Sequence, residues 1–419
     1  METVHSDPNY FNEATQSVPR LKWLTKAVKV SRLLPLDHLE DQINEKVARL
    51  VRRKPDMDGE TRAQIIENIV RAKILKKFQT WKAKQYDPKP GKKSPSHSFR
   101  QMAGEQFERC RCSIIKEKNF KIGRYPAILV PGFIPDGNEA FFLLRRSFLK
   151  YGPVFYVNYP PHHFNKEVLF HQLYDMIWDL NRRSLKNAGV KPRPFLVGTS
   201  FGCRIILSFM QWLDDNNLRA NLDIKGLVLL SPVLCLEDVV DPTSPRQKTL
   251  VGRAVSHLCE VEPDDVDGID QAMGRARNIF SKMFTSGRDQ LKFNEKEQLG
   301  VMAIEDEVLR IFDPEFTPNQ GVFQRYMGLK TEKALSGAYM SDLPTLVLFA
   351  EGESDVLTPN APTYHQLINN EFLHQVFPNG HVEVVYSLDE KRRVTHSDLI
   401  FQADRYLAHI KPWLKLQTS

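Results

Sequence analysis

The chain has 419 residues, room for one large α/β domain with additions or for two to three domains. Hydrophobic residues make up 42% and charged residues 26%, which is ordinary for a globular soluble protein. The net charge of +7 is uneven: the excess of Lys and Arg lies in residues 1–120 and the remainder is slightly acidic, so an anionic partner is to be sought only near the N-terminus.

Residues 1–34 are polar with scattered apolar groups and read as loop plus a short docking helix. From Leu36 to about Arg53 the apolar positions Leu39, Ile43, Val47 and Leu50 have helical spacing, with Asp37 as a cap, and Pro55 ends the run. A second helix starts near Asp58 and carries Ile65, Ile69, Ile74 and Phe78 to about Tyr86, which suggests a helical hairpin. Its end is basic (Lys76, Lys77, Lys82, Lys84), and the Pro/Lys/Ser run from Asp87 reads as a linker. The basic face suits contact with an anionic surface or a protein, and equally the solvated side of a docking helix. It lacks the interleaved aromatics of single-strand binders, so no specific nucleic acid binding is expected.

Residues 107–120 alternate through Cys110, Cys112 and Ile114 and predict a strand at a sheet edge. A βα rhythm follows: a strand at Ala127–Val130, a helix from Glu139 to Lys150, a strand at Val154–Asn158 and a helix from Lys166 to about Arg183. Next come a strand and helix meeting at Ser200, then a strand at Leu227–Leu230. Short continuous apolar runs between helices imply a parallel sheet covered on both faces. Between Pro232 and about Leu343 the rhythm stops and helical patterns take over (Val251–Leu258, Ile269–Phe284, Glu295–Ile311, Val322–Leu329). It resumes with a strand at Pro344–Ala350, a helix over Ala361–Asn370, a strand at Leu373–Pro378 and a final helix from about Ser397 to His409.

The five cysteines (Cys110, Cys112, Cys203, Cys235, Cys259) are odd in number and widely spaced, without a metal-ligand pattern, so reduced, mostly buried thiols are expected and no metal. No stretch approaches a transmembrane span, and the acidic N-terminus lacks a signal-peptide core, so a cytoplasmic location is the expectation.

The most informative stretch is Phe195-Leu-Val-Gly-Thr-Ser200-Phe-Gly-Cys-Arg-Ile-Ile-Leu207: an apolar strand, Gly-Thr-Ser-Phe-Gly, and an amphipathic helix. A strand turning that sharply into a helix strains the serine and needs small residues two before and two after it, hence Gly198 and Gly202. The serine oxygen then stands clear of the sheet at the positive end of a helix. This resembles the nucleophile elbow of the α/β-hydrolase fold, over about residues 107–412.

The resemblance implies a doubly wound, mostly parallel sheet formed by 107–232 and 344–415. It also implies a helical lid over 233–343, and residues 1–100 are left as a helical extension. A serine hydroxyl needs a histidine to take its proton and an acid to orient that histidine, in the chain order serine, acid, histidine. Asp355, in Gly352-Glu-Ser-Asp-Val-Leu-Thr-Pro after a strand, is the expected acid; Glu351 and Glu353 are its runners-up, though they read more readily as solvated loop charges. An acid after the earlier strand would instead be Glu237, Asp238 or Asp241. His381, in Asn-Gly-His, is the expected base and His396 its alternative. The oxyanion hole would use the backbone N–H groups of Phe201 and Phe133, the latter in Val130-Pro-Gly-Phe, where the family usually has His-Gly.

The expected activity is cleavage of an ester or thioester, small or lipid-like, through an acyl-enzyme on Ser200, with no cofactor. Phe133, Phe141, Phe142 and the insert helices suggest a lipophilic acyl pocket. Acyl transfer to another acceptor would use the same residues. A non-catalytic scaffold, with the basic N-terminal helices binding a partner, is a reading of a different class.

Overall fold

Strands made only of apolar residues must be shielded on both faces, and the computed structural model gathers them into the middle of one seven-stranded sheet. The structure describes Tyr86 and residues 95–117, 124–133, 137–141, 143–182, 191–241, 243, 247–289, 319–387, 393–399 and 402–419. These belong to one unit, Lys84–Gln290 with Val308–Ser419. The expected helices at 36–53, at 58–86 up to its last residue and at 295–311 lie outside the described residues, as do residues 87–94 of the linker expected over 87–96, whose last two residues, Pro95 and Ser96, instead open a helix.

The strands are β1 (Ser113–Lys116), β2 (Ala127–Val130), β3 (Val154–Asn158), β4 (Phe195–Thr199), β5 (Gly226–Leu230), β6 (Thr345–Ala350) and β7 (Gly380–Val385). Their order is β1-β3-β2-β4-β5-β6-β7, with every pairing parallel except β1 against β3. Every residue of β2 through β6 is buried. The longer helices are α1 (Pro95–Arg109), α2 (Lys166–Arg182), α3 (Phe201–Asp215), α4 (Leu250–Cys259), α5 (Val266–Asp289), α6 (Asn319–Lys330), α7 (Pro362–Ile368), α8 (Asn370–Val376) and α9 (Ala403–Thr418). Leu173 and Ile177 of α2 and Ile206 and Phe209 of α3 share one core with the strands, each such side chain contributing about 1.5–3 kcal/mol of burial. Val255 of α4, Ile269 of α5 and Phe323 of α6, all from the segment between β5 and β6, join that same core.

Four expectations are corrected. Phe107 ends a helix and does not start a strand: Phe99, Ala103, Phe107 and Cys110 recur every three or four residues and pack on Val168 of α2. The helix expected over 139–150 is two short segments, Gly137–Ala140 and Arg145–Leu149. The strand expected at 373–378 is α8, started by Asn369, whose side chain accepts from the Glu371 and Phe372 N–H groups, and the last strand begins instead at Gly380. The final helix starts later and runs further, Ala403–Thr418, preceded by a 3-10 turn at His396–Leu399.

All five cysteines are free thiols, four of them buried. Among the described residues no helix is long and apolar enough to cross a membrane, and no cluster of His, Cys, Asp and Glu has a metal-binding arrangement.

Candidate active site

Parallel strands end at the same edge of a sheet, and β4 delivers Ser200 there. Ser200 has φ 51° and ψ −122°, a region costing a non-glycine residue on the order of 1–3 kcal/mol. The turn is held from both sides: the Ser200 N–H donates to Leu230 O at 2.9 Å and its carbonyl accepts from Cys203 and Val233. A Cβ at Gly202 would lie 2.2 Å from Val130 O, and one at Gly198 would lie 2.8 Å from Cys203 N. Both glycines are therefore required by close approach of backbone. Behind the elbow the Cys203 thiol is fully buried and donates to Leu230 O. Burial first, and the nearby charge of Glu353 after it, push its pKa up, so it stays a neutral packing group.

The loop after β2 passes directly over the serine. A Cβ on Gly132 would lie 3.3 Å from Ser200 Cβ and 3.8 Å from Ser200 Oγ. Neither the Phe133 nor the Phe201 N–H donates a backbone hydrogen bond to a described residue. Phe201 is also the first residue of α3, so its N–H adds the helix's positive end. The rings of Phe133, Tyr159 and Phe164 surround that of Phe201, with centroids 6.2, 6.4 and 6.2 Å from it.

The carboxylate turned inward beyond β6 is Glu353. It is 4% exposed, its Oε1 accepts from the Ala350 N–H at 2.8 Å, and its Oε2 lies 2.6 Å from His396 Nδ1. Asp355 lies two residues on in the same 3-10 turn, with an exposed side chain. Glu351, read above as a solvated charge, accepts from the Ser387 and Val394 N–H groups at 2.8 Å each and so ties down the loop leading to His396. Gly352 extends the attachment by donating to Val394 O at 2.8 Å.

His381 is the second residue of β7, in register with Leu346 near the start of β6. Following the register across β5 and β6, it lies three residues, about 10 Å at about 3.3 Å per residue, back along the sheet from the level of Ser200. It is exposed and pairs with Glu383, which also pairs with His409. Burial raises the Glu383 pKa, but those two histidine contacts outweigh it and hold the carboxyl below its usual range. The expectation that His381 leaves the last strand is thereby corrected: it enters that strand, and the loop that leaves it carries His396.

The other acids have structural partners. Asp238 is buried and accepts from the N–H groups of Leu234, Cys235 and Thr363, stapling the segment after β5 to α7. Burial raises its pKa, and those hydrogen bonds work against the rise. Asp241 closes a local turn onto Thr243, and Glu237 is exposed.

Ser200, Glu353 and His396 thus share one edge of the sheet. β4 and β6 are separated by β5 alone, about 10 Å, a gap that a hydroxyl–imidazole–carboxylate line can bridge. The structure forms the carboxylate–imidazole half and no Ser200–His396 hydrogen bond among the described residues. Nucleophile–base hydrogen bonds are commonly long without substrate.

No family model matches the chain, and no curated protein matches it. Solved structures similar to it include an esterase from Thermogutta terrifontis, at 15% identity and TM-score 0.47, covering 74% of this chain and 95% of that one. Another is an esterase from Exiguobacterium antarcticum, at 13% identity and TM-score 0.46, covering 73% and 98%. A third is 2-hydroxy-6-oxo-6-phenylhexa-2,4-dienoate hydrolase from Rhodococcus, at 14% identity and TM-score 0.44, covering 73% and 94%. The fold is fixed by the chain itself: with this strand order, a single antiparallel edge strand and a strained serine between β4 and α3, it is the α/β-hydrolase fold.

Proposed function

We propose that this protein is a serine hydrolase that cleaves an ester or thioester through an acyl-enzyme on Ser200, with His396 as base and Glu353 as the acid that orients it. The observation that carries the reading is the part-buried Glu353–His396 contact of 2.6 Å, at the edge of the sheet where Ser200 stands strained above the start of α3. Glu353 accepts the Nδ1 proton, which leaves Nε2 unprotonated and able to take the serine proton as the nucleophile attacks. The negative oxygen that develops is met by the Phe133 and Phe201 N–H groups, and the protonated histidine then returns its proton to the leaving group. A water molecule then takes the place of the leaving group: His396 accepts its proton, the hydroxide attacks the acyl carbon, and the bond to Ser200 breaks as the serine oxygen takes that proton back, which frees the carboxylic acid.

The test is labelling with a fluorophosphonate probe. Wild type and His381→Ala should label alike, Ser200→Ala should not label, and His396→Ala should label at least a hundredfold more slowly. Equal labelling of His396→Ala and wild type would refute the assignment of the base. A folded wild type that never labels would refute the hydrolase reading.

A further inference from the structure

An oxyanion donor works only if its peptide plane is fixed before charge develops, so whatever holds the Phe133 peptide matters as much as the peptide itself. The peptide bearing the Phe133 N–H lies between two others, and both are clamped through their carbonyls. On one side the Tyr159 hydroxyl donates to Pro131 O at 2.9 Å. On the other, Nη1 of Arg325 donates to Phe133 O at 3.3 Å, while Nη2 of the same guanidinium donates to Pro160 O at 3.3 Å. Arg325 is 1% exposed, and its guanidinium lies 4.9 Å from the centre of the Tyr159 ring, so one buried cation holds both clamps in place.

Arg325 comes from α6, part of the segment between β5 and β6 and far in sequence from the loop it holds. That helix is seated closely beside the elbow. A Cβ at Gly321 would lie 1.9 Å from Pro161 O, one at Gly328 would lie 3.7 Å from the Phe201 ring, and the Phe164 N–H donates to Gln324 Oε1 at 2.7 Å. Taking a charged side chain out of water to serve loop carbonyls is costly unless the hydrogen bonds are well made, and a rigid planar fork fixes two carbonyls in one geometry more firmly than a flexible ammonium does.

We propose that Arg325 is a positioning residue that sets the Phe133 peptide for oxyanion binding, making a competent oxyanion hole conditional on α6 being seated. This rests on the serine hydrolase reading of Ser200.

The experiment compares wild type, Arg325→Met and Arg325→Lys on a p-nitrophenyl ester and its thiono analogue, with active sites counted by fluorophosphonate. Loss of one full donor costs about 10²–10³ in kcat, so a donor left in place but misaligned should cost about tenfold to a hundredfold. Arg325→Met is expected to lose that much kcat per titrated site, with KM within about twofold, and Arg325→Lys to lose less. The ester-to-thionoester rate ratio should fall in both, because sulfur accepts hydrogen bonds weakly and depends less on the hole. Unchanged kcat per titrated site and an unchanged ratio, even with a lowered melting temperature, would overturn the proposal and leave Arg325 as packing. Should Arg325→Met fail to accumulate, Arg325→Lys decides by the same criteria. A wild type that never labels at Ser200 would overturn both the proposal and the reading beneath it.

Discussion

Replacing Glu353 by Gln keeps the size and shape of the side chain while inverting what it tells the histidine. Glu353 Oε1 accepts from the Ala350 N–H at 2.8 Å and Oε2 faces His396 Nδ1 at 2.6 Å. In the Gln variant the amide oxygen must face the Ala350 N–H, because an NH2 group there would set two donors against each other. The NH2 then faces Nδ1, which must become an acceptor, so the ring proton moves to Nε2, the nitrogen that has to take the serine proton. The expected loss in kcat is about 10³–10⁴-fold, or about 4–5.5 kcal/mol of transition-state stabilisation, with little change in KM. The assay is steady-state hydrolysis of a p-nitrophenyl ester, with the melting temperature as a control for folding. Asp355→Asn should leave kcat within about twofold. If Glu353→Gln stayed within about threefold of wild type while Asp355→Asn lost a hundredfold, the assignment of the acid would be refuted.

Two further predictions concern stability. Ser200 holds a positive φ, which glycine tolerates and alanine does not, so Ser200→Gly should melt higher than Ser200→Ala by a margin worth about 1 kcal/mol. Equal melting temperatures would mean that the elbow stores no strain. His171, stacked on Phe99 at 4.0 Å, has its pKa lowered from 6.5 to about 4, by burial first and by Arg100 second. Between those values the unfolded chain binds a proton that the folded one refuses. This contribution is therefore complete above pH 6.5 and lost as pH falls toward 4, by up to about 3 kcal/mol. His171→Phe should flatten that part of the stability curve in urea titrations, and an unchanged slope would count against the assignment.

The core was legible because β2 through β6 are continuous apolar runs that a parallel sheet buries completely, and the elbow was legible because its two glycines have a steric cause. The last strand was harder to read. Leu373, Val376 and Phe377 are buried while His374 and Gln375 are exposed, a helical pattern hidden in a short apolar run. The true strand, Gly-His-Val-Glu-Val-Val, is a partly covered edge whose polar residues diluted its signal. That displacement moved the candidate base: once the strand occupies 380–385, the histidine on the loop leaving it is His396. The acid was obscured for another reason. Glu351, Glu353 and Asp355 fall within five residues, and backbone hydrogen bonds of the folded loop select which carboxylate turns inward. The link between Arg325 and Phe133 left no local signature, since it joins residues nearly two hundred positions apart.

Glu351 and Gly352 fasten the His396 loop to the outermost pair of strands, whereas Ser200 rises from the middle of the sheet. The proposed nucleophile and base therefore have unequal mechanical footings. Partial opening at the β7 margin would carry the base away while the interior strands and their buried aromatics stayed in place. Under rising denaturant, turnover should fade before the spectroscopic signals of the core, so that activity acts as a gauge of one margin of the sheet and fluorescence as a gauge of its centre.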